Sequence, residues 1–116
     1  MRYSKQLCLQ FQHGAEILGK RWTAMILDLL LNEGPKRFNE IAALLEVVSD
    51  RVLSERLKEL EIEGIVRREV CPDTPVRVEY HLTEKGEALR PVMDSIHAWA
   101  EGWIELTPEL AALAEK

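Results

Sequence analysis

Arg51, Ser54, Glu55 and Lys58 put four kinds of hydrogen-bonding chemistry into one short stretch: a guanidinium fork, a hydroxyl, a carboxylate and an ammonium. Read as a helix at about 100° per residue, they lie roughly 100–200° from Leu53 and point outward together. A fork of donors beside a carboxylate matches the edges of base pairs in the DNA major groove. Arg51 suits guanine O6 and N7, Ser54 a base edge or a phosphate, Glu55 the cytosine amino group, and Lys58 the backbone. The same face also reads as a solvated surface held by an Arg51–Glu55 pair one turn apart.

Other cations stand where phosphate contacts are expected. Lys36 and Arg37 precede a helical pattern, and Lys20 and Arg21 precede another. Arg77 ends a loop between two strand patterns, placed for a minor groove or a phosphate, or else paired with Glu79 or Asp73. Arg67 and Arg68 cannot share a strand face, so at most one extends a patch with Arg77. Ser49 stands at the start of the Arg51 helix as its N-cap and joins the DNA-facing set, and Asp50 complements the helix dipole. Two cysteines, Cys8 and Cys71, are too few and too far apart for a disulfide framework or a zinc motif. Cys8 has Lys5 within a turn, and Cys71 opens the loop, so both are candidate redox sensors. His13, His81 and His97 show no metal spacing, and no nucleophile–base pair, carboxylate pair or phosphate loop points to an enzyme or a cofactor.

The elements that position these groups follow from periodicity. Residues 6–18 are weakly helical, with Gly14 a soft spot. Trp22, Met25, Ile26, Leu29 and Leu30 give a second helix one apolar face, with Trp22 expected in the core. Gly34-Pro35 stops it, Lys36-Arg37-Phe38 is a short extended piece, and Asn39 is the expected cap of a third helix carrying Ile41, Leu44 and Leu45. In the fourth, Leu53, Leu57 and Leu60 form the buried stripe, Arg56 sits on its shoulder, and Gly64 ends it. Residues 65–70 and 76–82 read as strands, Val76, Val78 and Tyr80 alternating with Arg77, Glu79 and His81. Thr83 caps a long helix with an apolar stripe of Leu89, Val92, Met93, Ile96, Trp99, Ala100 and Trp103, and Pro91 either kinks it or starts a new one. Thr107-Pro108 opens a short terminal helix. The Ile96, Trp99 and Trp103 stripe suits a seam between two copies.

Helix, turn, helix, strand, loop, strand is the order of a winged helix-turn-helix, which presents one helix to the major groove and a loop to the flanking backbone. The chain has 116 residues, 47% hydrophobic and 30% charged, within the range of one soluble globular domain. No apolar run reaches membrane-spanning length and the start lacks a signal peptide, so a cytoplasmic protein is expected. Net charge is −5, unfavourable for DNA at first sight. Residues 1–90 hold 14 Lys+Arg against 15 Asp+Glu, whereas residues 91–116 hold 1 against 5, so the acidity gathers at the C-terminal end.

Four segments in order resemble the HxlR-type transcriptional regulators, a branch of the winged-helix proteins near the MarR type. They are Gly19-Lys20-Arg21-Trp22-Thr23 with Ile26-Leu27; Gly34-Pro35 with Arg37-Phe38-Asn39-Glu40-Ile41; the run from Ser49 to Leu60; and Pro75, Arg77-Val78-Glu79-Tyr80 with Leu82-Thr83-Glu84-Lys85-Gly86. The resemblance spans roughly residues 8–100 and implies a homodimer that binds a near-palindromic operator in double-stranded DNA. Some members sense electrophiles or oxidants through an N-terminal cysteine followed by proline; here Leu9 holds the family spacing from Trp22, Cys8 stands one residue earlier, and no proline follows. The reading is therefore an α+β winged helix-turn-helix, mostly helical with a small antiparallel wing sheet. Residues 1–116 form a single DNA-binding domain with dimerisation helices at both ends, open to a small-molecule or electrophile effector. The alternative is a winged-helix interaction module that dimerises without binding DNA, which the acidic charge favours.

Overall fold

The computed structural model describes residues 5–72 and 75–113, with residues 5–8 as backbone only. Along the chain run α1 (Lys5–Gly19), α2 (Thr23–Glu33), β1 (Lys36–Arg37), α3 (Phe38–Leu44), α4 (Asp50–Ile62), β2 (Val66–Cys71), β3 (Arg77–Leu82), α5 (Glu84–Glu87), α6 (Arg90–Trp103) and α7 (Pro108–Leu113). The core lies where α2, α3 and α4 meet the sheet: Ile26, Leu27, Leu30, Ile41, Leu53, Leu57, Leu60 and Val66 are all but sealed from solvent.

The sheet has the order β1-β3-β2, all antiparallel. The short extended piece at Lys36-Arg37 is thus a strand, pairing Lys36 with Tyr80 and Arg37 with Glu79. Two residues carry no periodicity, so only the partner strand reveals it. In the wing hairpin Arg67 lies opposite His81, Glu69 opposite Glu79 and Cys71 opposite Arg77.

Three local expectations change. Trp22 is not on the face of α2; it precedes the helix at φ 76°, half-buried against the core, with the Arg21 guanidinium 4.7 Å from its ring centre. The buried face of α2 is Thr23, Ile26, Leu27, Leu30 and Leu31, while Met25 is exposed. Asn39 does not cap α3. Arg37 is the N-cap, and the Glu40 carboxylate reaches back to accept from the Arg37 backbone N–H at 2.8 Å. That bond, helped by the charges of Arg37 and Lys36, holds the Glu40 carboxyl below its usual range.

Pro91 starts a new helix, so Thr83 caps only the single turn of α5 and α6 begins at Arg90. Thr83 ties that turn to the sheet: its backbone N–H donates to Ile65 O (3.0 Å), its hydroxyl to Gly64 O (2.6 Å), and the same oxygen accepts from Gly86 N–H (3.2 Å). The radius of gyration, 16.1 Å, exceeds the roughly 13 Å expected of a compact chain this long. The excess agrees with α6, which buries only Met93 and meets α2 through a 2.9 Å His97–Asp28 pair.

Candidate nucleic-acid interface

The candidate interface is centred on α4, whose two faces differ sharply. Leu53, Leu57 and Leu60 are 0%, 1% and 1% exposed, anchoring the helix in the core. Ser49 caps it, its hydroxyl accepting from Val52 N–H at 3.2 Å and keeping its own hydrogen for another acceptor. Opposite the leucines, Arg51, Ser54, Glu55 and Lys58 are all exposed, as the spacing requires. Arg51, 79% exposed, lies 3.3 Å from Glu55 one turn on. An exposed pair of this kind contributes about 0.3–0.5 kcal/mol, so Arg51 can leave it at little cost.

Arg56 on the shoulder fixes α4 against the chain before α2, its Nε donating to Arg21 O at 2.9 Å while its fork lies 3.4 Å from Glu59. Glu59 also takes Lys20 at 3.0 Å. Lys20 and Arg21 thus hold the orientation of the helix, Arg21 through its carbonyl. Lys36 lies 3.4 Å from Glu33 and Arg37 3.6 Å from Glu40, both pairs local to the start of α3.

In the wing, period-two alternation puts Arg67, Glu69, Cys71, Arg77, Glu79 and His81 on one face and Val66, Arg68, Val70, Val78, Tyr80 and Leu82 on the other. Arg67, not Arg68, is the arginine that shares a face with Arg77. Two glutamates lie between them, which spacing along the chain does not reveal because they become neighbours only by pairing. Arg77 is exposed at the first position of β3. Asp73, its alternative partner, lies outside the described residues. Cys71 is a half-buried thiol at the end of β2. Cys8 falls within α1, but its side chain lies outside the described residues. Ile96, Trp99 and Trp103 share an exposed stripe on α6, at 46%, 60% and 80%.

A family model for HxlR-like helix-turn-helix proteins matches residues 17–108. The chain belongs to the HxlR-like helix-turn-helix family. An uncharacterised HTH-type transcriptional regulator of Bacillus subtilis, YvaP, is 55% identical over 100 residues, covering 86% of this chain and 92% of its own. The reduced form of the transcriptional regulator YodB from the same organism superposes with a TM-score of 0.74 at 44% identity, covering 90% of this chain and 97% of that one. YodB is also known diamide-treated and quinone-bound. The redox regulator HypR in its oxidised form gives a TM-score of 0.76 at 33% identity, covering 84% and 99%.

This HxlR-like chain is accordingly a winged-helix transcriptional regulator. No helix among its described residues is long and apolar enough to cross a membrane.

Proposed function

We propose that the chain acts as one winged-helix domain that binds double-stranded DNA sequence-specifically as a homodimer, α4 reading the major groove. The observation that carries this is the two-faced α4. Three sealed leucines fix its position, and the side chains opposite them (Arg51, Ser54, Glu55 and Lys58) have the donors and acceptors that base edges and phosphates require. Lys36, Arg37 and the Ser49 hydroxyl supply backbone contacts beside it, and Arg77 on the wing reaches the neighbouring groove.

The second copy covers the α6 stripe. Ile96, Trp99 and Trp103 leave a large apolar surface open on a helix that stands away from the core, a surface that soluble monomers rarely show. Two-fold pairing there gives a near-palindromic operator with half-sites about 10 bp apart. Responsiveness to an oxidant or electrophile is supported by YodB and HypR, with Cys8 and Cys71 the two thiols available.

The acidic net charge keeps one other reading in view, a dimeric interaction module that does not bind DNA. Purified protein titrated with duplexes from around its own gene, with and without diamide, separates the two. A specific shift that weakens with salt supports the regulator, and its loss on oxidation supports a thiol sensor, assigned by Cys8→Ser and Cys71→Ser. Absence of any shift at low salt refutes DNA binding at that locus and favours the interaction module.

A further inference from the structure

We infer that the wing carries a divalent transition-metal site formed by Glu69, Glu79 and His81. Strand pairing sets Glu69 directly opposite Glu79, with His81 two residues further along the same face. Like charges directly opposed across an antiparallel pair destabilise it, so this arrangement calls for a compensating positive charge. Arg67, 3.3 Å from Glu69, serves only one of the two.

His81 Nε2 lies between them, 2.7 Å from a Glu69 oxygen and 3.1 Å from a Glu79 oxygen. One imidazole nitrogen has at most one hydrogen to give, so it cannot make two well-directed bonds at once. A metal ion bonded to all three groups meets both carboxylates. One ligand atom from each residue already falls within 4.8 Å of the others. Bonds of about 2.1 Å to a tetrahedral ion set its ligand atoms about 3.4 Å apart, so His81 needs to draw back by less than about 1 Å from each carboxylate oxygen. The three side chains are half-buried, with His81 only 18% exposed, which limits the rearrangement needed.

The donor set selects the ion. One imidazole with two carboxylates suits Zn²⁺, Ni²⁺, Co²⁺ or Mn²⁺ better than Mg²⁺ or Ca²⁺, and no thiolate is required. Three protein ligands leave coordination positions for water or a phosphate oxygen. The ion's charge balances the two carboxylates on the face that carries Arg67 and Arg77. Where the wing meets DNA, a consequence that rests on the reading above, this favours approach to the backbone.

Full-length protein stripped with a chelator and titrated with Zn²⁺ or Co²⁺ alone, by calorimetry and visible absorption, tests the site. One ion per chain is expected, with d–d bands of a nitrogen–oxygen Co²⁺ site. Affinity should fall at least about tenfold in Glu79→Gln and in His81→Ala, and stay unchanged in the Cys8→Ser/Cys71→Ser double variant. Glu69→Gln gives a second shape-preserving variant should His81→Ala fail to fold. No binding by the wild type, binding unaffected by the wing variants, or binding lost with the cysteines overturns the proposal. Operator affinity of the metal-free protein is read in a separate titration, so failure of the metal site and failure of the DNA reading give different results.

Discussion

Replacing Gly86 with alanine drives a methyl group into the backbone that joins the wing to the end of α4. A Cβ there would stand 2.3 Å from Ile65 O, 2.9 Å from Leu82 Cδ2 and 3.3 Å from Leu82 Cβ. The first contact is the severe one. Ile65 O is main chain, belongs to a residue 3% exposed, and already accepts from Thr83 N–H at 3.0 Å. It cannot turn aside as a side chain does, so α5 must move off the sheet. Overpacking of this kind costs about 1–3 kcal/mol. Movement of α5 also breaks the Gly86 N–H bond to the Thr83 hydroxyl, a cap worth about 1 kcal/mol. The sum, about 3 kcal/mol, corresponds to a fall in Tm of roughly 10–20 °C for a domain of this size. Urea and thermal unfolding followed by circular dichroism at one fixed protein concentration measure it, since the proposed dimerisation would make Tm concentration-dependent. Gly14→Ala is the control: an added Cβ meets nothing within 4 Å, and removing a mid-helix glycine should stabilise by about 0.5–1 kcal/mol. A Gly86→Ala protein within about 0.5 kcal/mol of wild type would refute the close packing of α5 on the Ile65 carbonyl.

Further expectations concern the interface, the seam and the helix contact. Arg51→Ala should cost about 1–3 kcal/mol on the best operator and relax preference at one base pair per half-site, read by competition among single-position operator variants. Trp99→Glu should yield a folded monomer by light scattering, because it sets a charge in the apolar stripe without touching the core; a dimer of unchanged affinity would refute that seam. Asp28, by hydrogen bond and charge, raises the His97 pKa above 6.5. A raised folded-state pKa stabilises fully below the unfolded value and is lost as pH rises through the folded one. Asp28→Asn should therefore flatten the fall in stability as pH rises past the ordinary histidine range, and an unchanged pH profile would rule the pair out as its source.

Much of this was legible in the sequence because the physics is local. The 3.6-residue stripe of Leu53, Leu57 and Leu60 and the Ser49 cap gave α4 and its outward face, and turn residues bracketed the wing. What stayed hidden needed a partner in space. Lys36-Arg37 is too short for a strand pattern and declares itself only by pairing with β3. The αL backbone of Trp22 breaks a rule that side-chain type alone enforces, so the apolar pattern misplaced it in α2. Asn39 has the better cap chemistry, yet pairing of Arg37 with β3 moves the helix start back by two residues, where Glu40 can serve Arg37. Glu69, Glu79 and His81 meet only through strand register, so a search for metal spacing along the chain passes over them.

The central claim, that α4 binds DNA through the face opposite its leucines, is tested most directly by affinity for a selected operator duplex across a salt series, in wild type and Lys58→Ala. The account predicts a linear fall of log affinity with log salt in the wild type, and a slope smaller by about one in Lys58→Ala with base preference retained. Affinity indifferent to salt, or a Lys58→Ala slope equal to the wild-type slope, would contradict it.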